Sequence, residues 1–178
     1  QNLMAIIMIP LSIMVSSILS WIFGMTLRPG WHSTIFGPYF VLGALYSGCG
    51  VLIVAMWVYR KLYKLENYFT DKHFINLGYI MMVLAAAYGY FTFSEYFTDW
   101  FGSAKWDSEV IHKLFDPHAY GWWSLFANLG GVLIPIMIVA IPATRKRNWI
   151  TLVAFIMVIA LWVKRYLIIV PTLETPAL

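Results

Sequence analysis

Residues Ile150–Val170 read ITLVAFIMVIALWVKRYLIIV, an apolar run that carries Lys164 and Arg165 with hydrophobic residues on both sides. A helix crosses a bilayer with about 20 predominantly apolar residues, and this run supplies them. A cation inside the hydrocarbon costs several kcal/mol on most estimates, so such residues usually face the bundle interior and find a partner there. The rest of the chain should therefore bring an acid to the same depth, and Glu95 is the leading candidate.

The composition agrees with a membrane setting. Hydrophobic residues make up 61% of the chain and charged residues 11%, against about 25% charged in soluble domains, and the mean hydropathy is +0.75. Nine Trp and eleven Tyr suit aromatic belts at the two interfaces. The net charge of +4 does not point to nucleic acid, because the basic residues sit in loops between spans. A single cysteine, Cys49, excludes an internal disulfide, an iron–sulfur site and a structural zinc site on this chain. Gln1 lies close to an apolar helix without a basic leader region, and Leu178 follows a span. An internal piece of a longer protein, or one missing its ends, is expected.

Working back from Ile150–Val170, five crossings are predicted. The first is Leu3 to Leu27, ended by Arg28-Pro29-Gly30, and the second runs from about Pro38 to Tyr59, closed by Arg60-Lys61. The third starts at Asp71, taken as its N-cap, and reaches about Phe97. The fourth spans about His118 to Ile141 between Pro117 and Pro142, and the fifth is Trp149 to Val170, stopped by Pro171. Small residues at helical spacing mark faces where backbones approach closely: Ser12, Ser16, Ser20 and Gly24 in the first span, Gly43 and Ser47 in the second, Ala85 and Gly89 in the third. Short connections at 61–70 and 143–148 predict antiparallel neighbours.

Lysine and arginine set the orientation. Arg60, Lys61, Lys64, Lys72, Arg145, Lys146 and Arg147 fall on one side, and Arg28, Lys105 and Lys113 on the other. The richer side, with loops 61–72 and 143–148, is expected in the cytoplasm, and the outer loop 98–117 on the opposite face. In that loop Trp106, Val110 and Leu114 share a helical face, which fits a short interfacial helix or a docking surface for an outer partner.

At about 1.5 Å per residue, Glu95 lies roughly 33 Å along the third span from His73, and Arg165 roughly 24 Å along the fifth from Trp149. Both fall in the outer half, level with Arg28 and His32. Glu95 and Asp99 are four residues apart and share a helix face, which Thr92, Tyr88 and Phe91 extend inward. An acid–base cluster with aromatic walls suits a group that exchanges protons beside an apolar ring, such as a quinone. The same residues also fit a buried ion pair, Glu95 with Arg165, that fixes helix register, or a transported solute. His32 suits a proton relay or a hydrogen-bond donor to such a ring, or a simple bond to a carbonyl. His32 and His112 lie in outer loops, and His73 and His118 start helices on opposite sides. No pair can clamp a haem iron within the bilayer. Asn128, beside Gly130 and Gly131 and one turn before Pro135, reads as a contact to another helix or as a helix irregularity. No phosphate-cradling loop, nucleophilic triad or metal-ligand spacing occurs, so redox work must borrow cofactors from a partner.

Three stretches resemble one family. Pro29-Gly30-Trp31-His32-Ser33-Thr34-Ile35-Phe36-Gly37-Pro38-Tyr39-Phe40 is similar to a motif of the NrfD/PsrC membrane subunits. The motif also marks the ActC subunit of alternative complex III, with a second proline in place of Gly37. Tyr90-Phe91-Thr92-Phe93-Ser94-Glu95-Tyr96 resembles the end of the matching family helix, and Trp162-Val163-Lys164-Arg165-Tyr166-Leu167-Ile168-Ile169-Val170-Pro171-Thr172-Leu173 the last core helix. Ser16, Ile22 and Lys164 depart from the alternative complex III pattern and draw the chain toward NrfD-like anchors. The resemblance implies an all-α integral membrane protein of five transmembrane helices. Residues 1–28 would be the last helix of a first bundle and 29–178 a second four-helix bundle.

It also implies a quinone-interacting anchor of a respiratory oxidoreductase complex in a bacterial or archaeal cytoplasmic membrane, not catalytic alone. Menaquinone or ubiquinone would exchange electrons with a periplasmic iron–sulfur subunit, with a molybdopterin-type or multihaem cytochrome subunit beyond, and with possible proton conduction. Glu95, His32 and Asp99 would handle protons, Arg165 and Lys164 would tune the charge of Glu95, and Trp31, Tyr39, Tyr90 and Tyr88 would wall the ring. The rivals are a purely structural anchor and, less favoured, an ion or solute transporter.

Overall fold

The computed structural model describes residues 2–25, 35–102, 111–118, 120–142 and 144–174, all of them helix or connecting turn. Helix α1 is Asn2–Gly24, α2 is Phe36–Leu62 and α3 is Asp71–Phe101. A fourth unit begins as α4 (Gly121–Asn128), passes through a π-helical turn at Leu129–Leu133 and ends as α5 (Ile134–Ala140). Helix α6 is Arg147–Glu174. The α2, α3, α4–α5 and α6 units are long and apolar enough to cross a membrane, and α1 carries a shorter apolar run, Ile6–Ile22.

The bundle closes because each helix buries one stripe. Tyr39, Tyr46, Cys49 and Ile53 on α2 meet Phe74, Met81, Ala85 and Tyr88 on α3, and Ile150, Val153, Ala154, Met157 and Leu161 on α6. These spacings of three, four and seven residues keep one face inward. The remaining faces are also apolar but exposed: Leu52, Val83, Leu125 and Leu152 each show about half or more of their surface. A soluble protein would hide such faces; lipid accommodates them. Helix α2 packs on α3 and α6, α3 on α5, and α6 on every member of the bundle, while α1 packs on α2. The short connections thus join neighbours, as the loop lengths imply. The small-residue faces hold in part: Ser20 is buried against α2, where a Cβ on Gly37 would meet the Trp21 indole at 2.9 Å, and a Cβ on Gly89 would sit 2.6 Å from Val132.

Two predicted helix ends are corrected. Asp71 is not the N-cap of α3. Thr70 caps it, with extended backbone and its hydroxyl 2.8 Å from His73 Nδ1, and Asp71 begins the helix. There its carboxylate meets Arg60 at 3.4 Å and Arg147 at 3.0 Å, tying the ends of α2, α3 and α6 together. Pro171 does not stop the last helix. A proline denies one bond to the carbonyl four residues earlier; with Pro171 this falls close to the helix end. The chain makes nearly one more turn, to Glu174, with Pro171 fully buried.

Candidate functional site

The polar interior is built from α3 and α6. Tyr88, Thr92, Glu95 and Asp99 follow one another by four, three and four residues, one face of α3. Tyr88 and Thr92 are buried. The Tyr39 ring of α2 stacks on Tyr88 at 4.8 Å and 13°, and its hydroxyl donates to the Tyr88 hydroxyl at 2.9 Å. Thr92 Oγ1 lies 3.2 Å from the same Tyr39 hydroxyl and donates to the Tyr88 carbonyl at 2.9 Å. A Cβ on Gly43 would stand 3.2 Å from the Tyr88 ring, so the missing side chain is what lets the stack close.

Lys164 lies in this interior, 4% exposed. Its ammonium donates to the Tyr96 hydroxyl and sits 4.3 Å from the centre of that ring. Cation–π contacts strengthen when desolvated, to about 2 kcal/mol or more. Glu95 lies in the field of Lys164, with Asp99 as its acidic neighbour. Glu95 Oε2 is buried and has no hydrogen-bond partner among the described residues. The third and last crossings thus place an acid and a cation within electrostatic reach of each other.

The expected pairing of Glu95 with Arg165 is corrected. Successive residues of a helix point about 100° apart, so Lys164 and Arg165 cannot both face Glu95. Lys164 turns inward, and Arg165 places its guanidinium 5.5 Å from the centre of the Phe40 ring. With Tyr39, Phe40, Gly43, Tyr88, Leu161 and Ile168, Arg165 lines a crevice of about 20 Å³. That is room for one water molecule, and far less than a six-membered ring needs.

Other candidate residues are placed as follows. Tyr90 is 67% exposed, on the opposite face of α3 from Tyr88, so it does not wall the crevice. His112 and His118 are exposed, with the His118 backbone N–H donating to Asp116. Trp31, His32 and Arg28 lie outside the described residues, as do Lys105, Trp106 and Val110 of the outer loop. Leu114 of that loop is buried with Ala127, Val163 and Leu167, beside Tyr96 and Tyr120. Among the described residues no group of three or more His, Cys, Asp and Glu side chains could hold a metal ion.

The largest opening described at this end is a groove of about 510 Å³ between α3 and the helical turn at 111–115. Phe93, Tyr96, Phe97, Trp100, Ile111, His112 and Phe115 line it. Tyr96 is the functional candidate that sequence reasoning passed over. The available signal was its position four residues after Thr92, on the side of α3 that meets α6. Among the described residues Asn128 bonds within its own helix rather than to another. Its amide lies 3.4 Å from Ser124 Oγ on its own helix, while the irregularity follows it at Leu129–Leu133. Pro135 has no N–H to return to the Gly131 carbonyl four residues earlier. The Tyr46 hydroxyl donates to that carbonyl at 2.6 Å.

Set beside known proteins, residues 1–177 match the family model described as polysulphide reductase, NrfD. No curated protein matches the chain.

Proposed function

The chain belongs to the polysulphide reductase NrfD family, and on that premise we propose that it is a quinone-interacting membrane subunit of a respiratory oxidoreductase complex. Membership points to a membrane subunit of a quinone-linked complex. The finer reading is that electrons pass between the quinone pool and an iron–sulfur partner on the outer face. Oxidising a quinol releases two electrons and two protons, and the reverse reaction takes them up. The electrons belong to the partner's clusters; the protons fall to this chain. Glu95 is the residue suited to hold one, with Asp99 a turn away and His32 as a further relay candidate. The carrying observation is the buried Glu95 Oε2, without a hydrogen-bond partner among the described residues, in the field of Lys164. Lys164 holds the charge balance of the pocket, and Arg165 with Tyr39 and Tyr88 lines the adjoining crevice.

In this reading the arginine-rich end, with Arg60, Arg145 and Arg147, lies in the cytoplasm, and the Lys164 end faces outward in a bacterial or archaeal inner membrane. Helix α1 would be the last helix of a preceding bundle, in keeping with its packing on α2 and its otherwise exposed surface. Glu95→Gln keeps the shape and removes the proton site. Quinol turnover per assembled complex is expected to fall at least tenfold with subunit stoichiometry intact, and normal turnover would remove the proton role. One observation favours a second, structural reading: Lys164 already has a partner in Tyr96, which locks α3 to α6. That reading expects changes at Lys164 and Glu95 to lower the amount of complex and leave activity per complex unchanged.

A further inference from the structure

We propose that the groove between the Phe93–Trp100 face of α3 and the 111–115 turn receives the quinone ring, with the Tyr96 hydroxyl as its hydrogen-bond donor. The inference rests on the quinone reading above and gives that reading a place. Size decides first. The crevice beside Arg165 holds about 20 Å³ and the groove about 510 Å³, and pockets for small organic ligands run from about 300 to 1,000 Å³.

Chemistry decides next. The Phe93 and Phe97 rings lie nearly parallel at 5.9 Å and 21°, so this wall of the groove is continuously aromatic. Tyr96 is T-shaped to Phe115 at 5.7 Å, which joins the α3 wall to the opposite turn. The Tyr96 oxygen accepts from the Lys164 ammonium. Its own O–H hydrogen is then available to a ligand, and the neighbouring cation makes it a stronger donor. The matching ligand is a planar apolar ring with a carbonyl oxygen, and the flat face is what a saturated acyl chain does not have. Glu95 does not line the groove; it connects to the donor through Lys164, whose ammonium binds the Tyr96 hydroxyl and acts on the Glu95 carboxyl.

The test uses the intact complex in membranes and a photoactivatable short-chain quinone, with a photoactivatable saturated fatty acid as control. The quinone probe is expected to label peptides containing Phe93–Phe101 and residues 111–115, with competition by excess unlabelled quinone. Tyr96→Phe should raise KM for quinol about tenfold with kcat changed less than threefold, and Phe97→Ala should act in the same direction. Because Tyr96→Phe also removes a partner of Lys164, Phe97→Ala serves as the variant that leaves that contact in place. Equal, non-competed labelling by the fatty acid would make the groove a lipid slot and overturn the inference. So would quinone labelling confined to other segments, or unchanged KM in both variants while the complex still turns over quinol. A complex that assembles with its partners and turns over no quinol would instead overturn the function proposed above.

Discussion

Tyr46→Phe removes a single oxygen from the centre of the bundle. Tyr46 has no exposed surface, and its hydroxyl donates to the Gly131 carbonyl at 2.6 Å. Losing a neutral hydrogen bond costs about 1 kcal/mol net, and leaving a buried acceptor unsatisfied about 1–3 kcal/mol. No water is at hand in a membrane interior to take over the bond, so about 2 kcal/mol is expected. For a chain of this size, 1 kcal/mol moves the melting temperature by about 2–4 °C, giving a drop of about 4–8 °C. The reasoning makes a sharper demand through Pro135. Pro135→Ala supplies an N–H within reach of the same carbonyl, so Tyr46→Phe in that background should cost about 1 kcal/mol less. Reversible denaturation of the four proteins in detergent micelles, as a double-mutant cycle, measures this coupling. Equal costs of Tyr46→Phe in both backgrounds would refute the idea that the tyrosine substitutes for the missing proline N–H. The consequence reaches the site, because the π-helical turn wedges between α3 and α6: Cβ atoms at Gly130 and Gly131 would touch Ala160 at 3.4 and 3.6 Å, and Val132 packs over Gly89.

Four further outcomes can be measured. Gly89→Ala should cost about 1–3 kcal/mol, since the new Cβ meets Val132 Cγ1 at 2.6 Å and a helical valine has one strongly preferred rotamer. Gly50→Ala should cost less than Gly89→Ala although its contact with the Met157 methyl is nominally closer, because a methionine end swings aside; the order of the two melting temperatures checks this. Asp71→Asn breaks contacts to Arg60 and Arg147, but the aspartate side chain is 63% exposed, so a loss under about 1 kcal/mol, smaller still in high salt, is expected on denaturation. Lys164→Met should destabilise by about 2 kcal/mol or more by removing the desolvated cation from the Tyr96 ring and hydroxyl and from the field of Glu95, with part of that recovered in Lys164→Met/Glu95→Gln. Arg165→Met should cost far less, and similar yields for the two single variants would contradict the assignment of Lys164 as the inward cation.

The order and approximate bounds of the apolar helices follow from the chain itself, because burying a backbone in lipid demands about 20 apolar residues in a row, and that is a local property. So does the prediction that a cation in the last span must meet an acid in the third, since the cost of an unpaired charge does not depend on which neighbour pays it off. Helix ends needed more than local pattern. Asp71 is a good capping residue by type, yet two arginines from other helices take its carboxylate, and Pro171 is a good stop signal, yet packing carries the helix past it. Which of Lys164 and Arg165 turns inward was beyond sequence, because it depends on the rotation of α6 about its axis, set by how Ile150, Met157 and Leu161 seat against α2 and α3. For the same reason only the tertiary structure separated Tyr88 from Tyr90, joined Tyr46 to Gly131 across the bundle, and made the opening beside Tyr96 larger than the crevice beside Arg165. Those are distances between surfaces brought together by packing, which residue order alone does not contain.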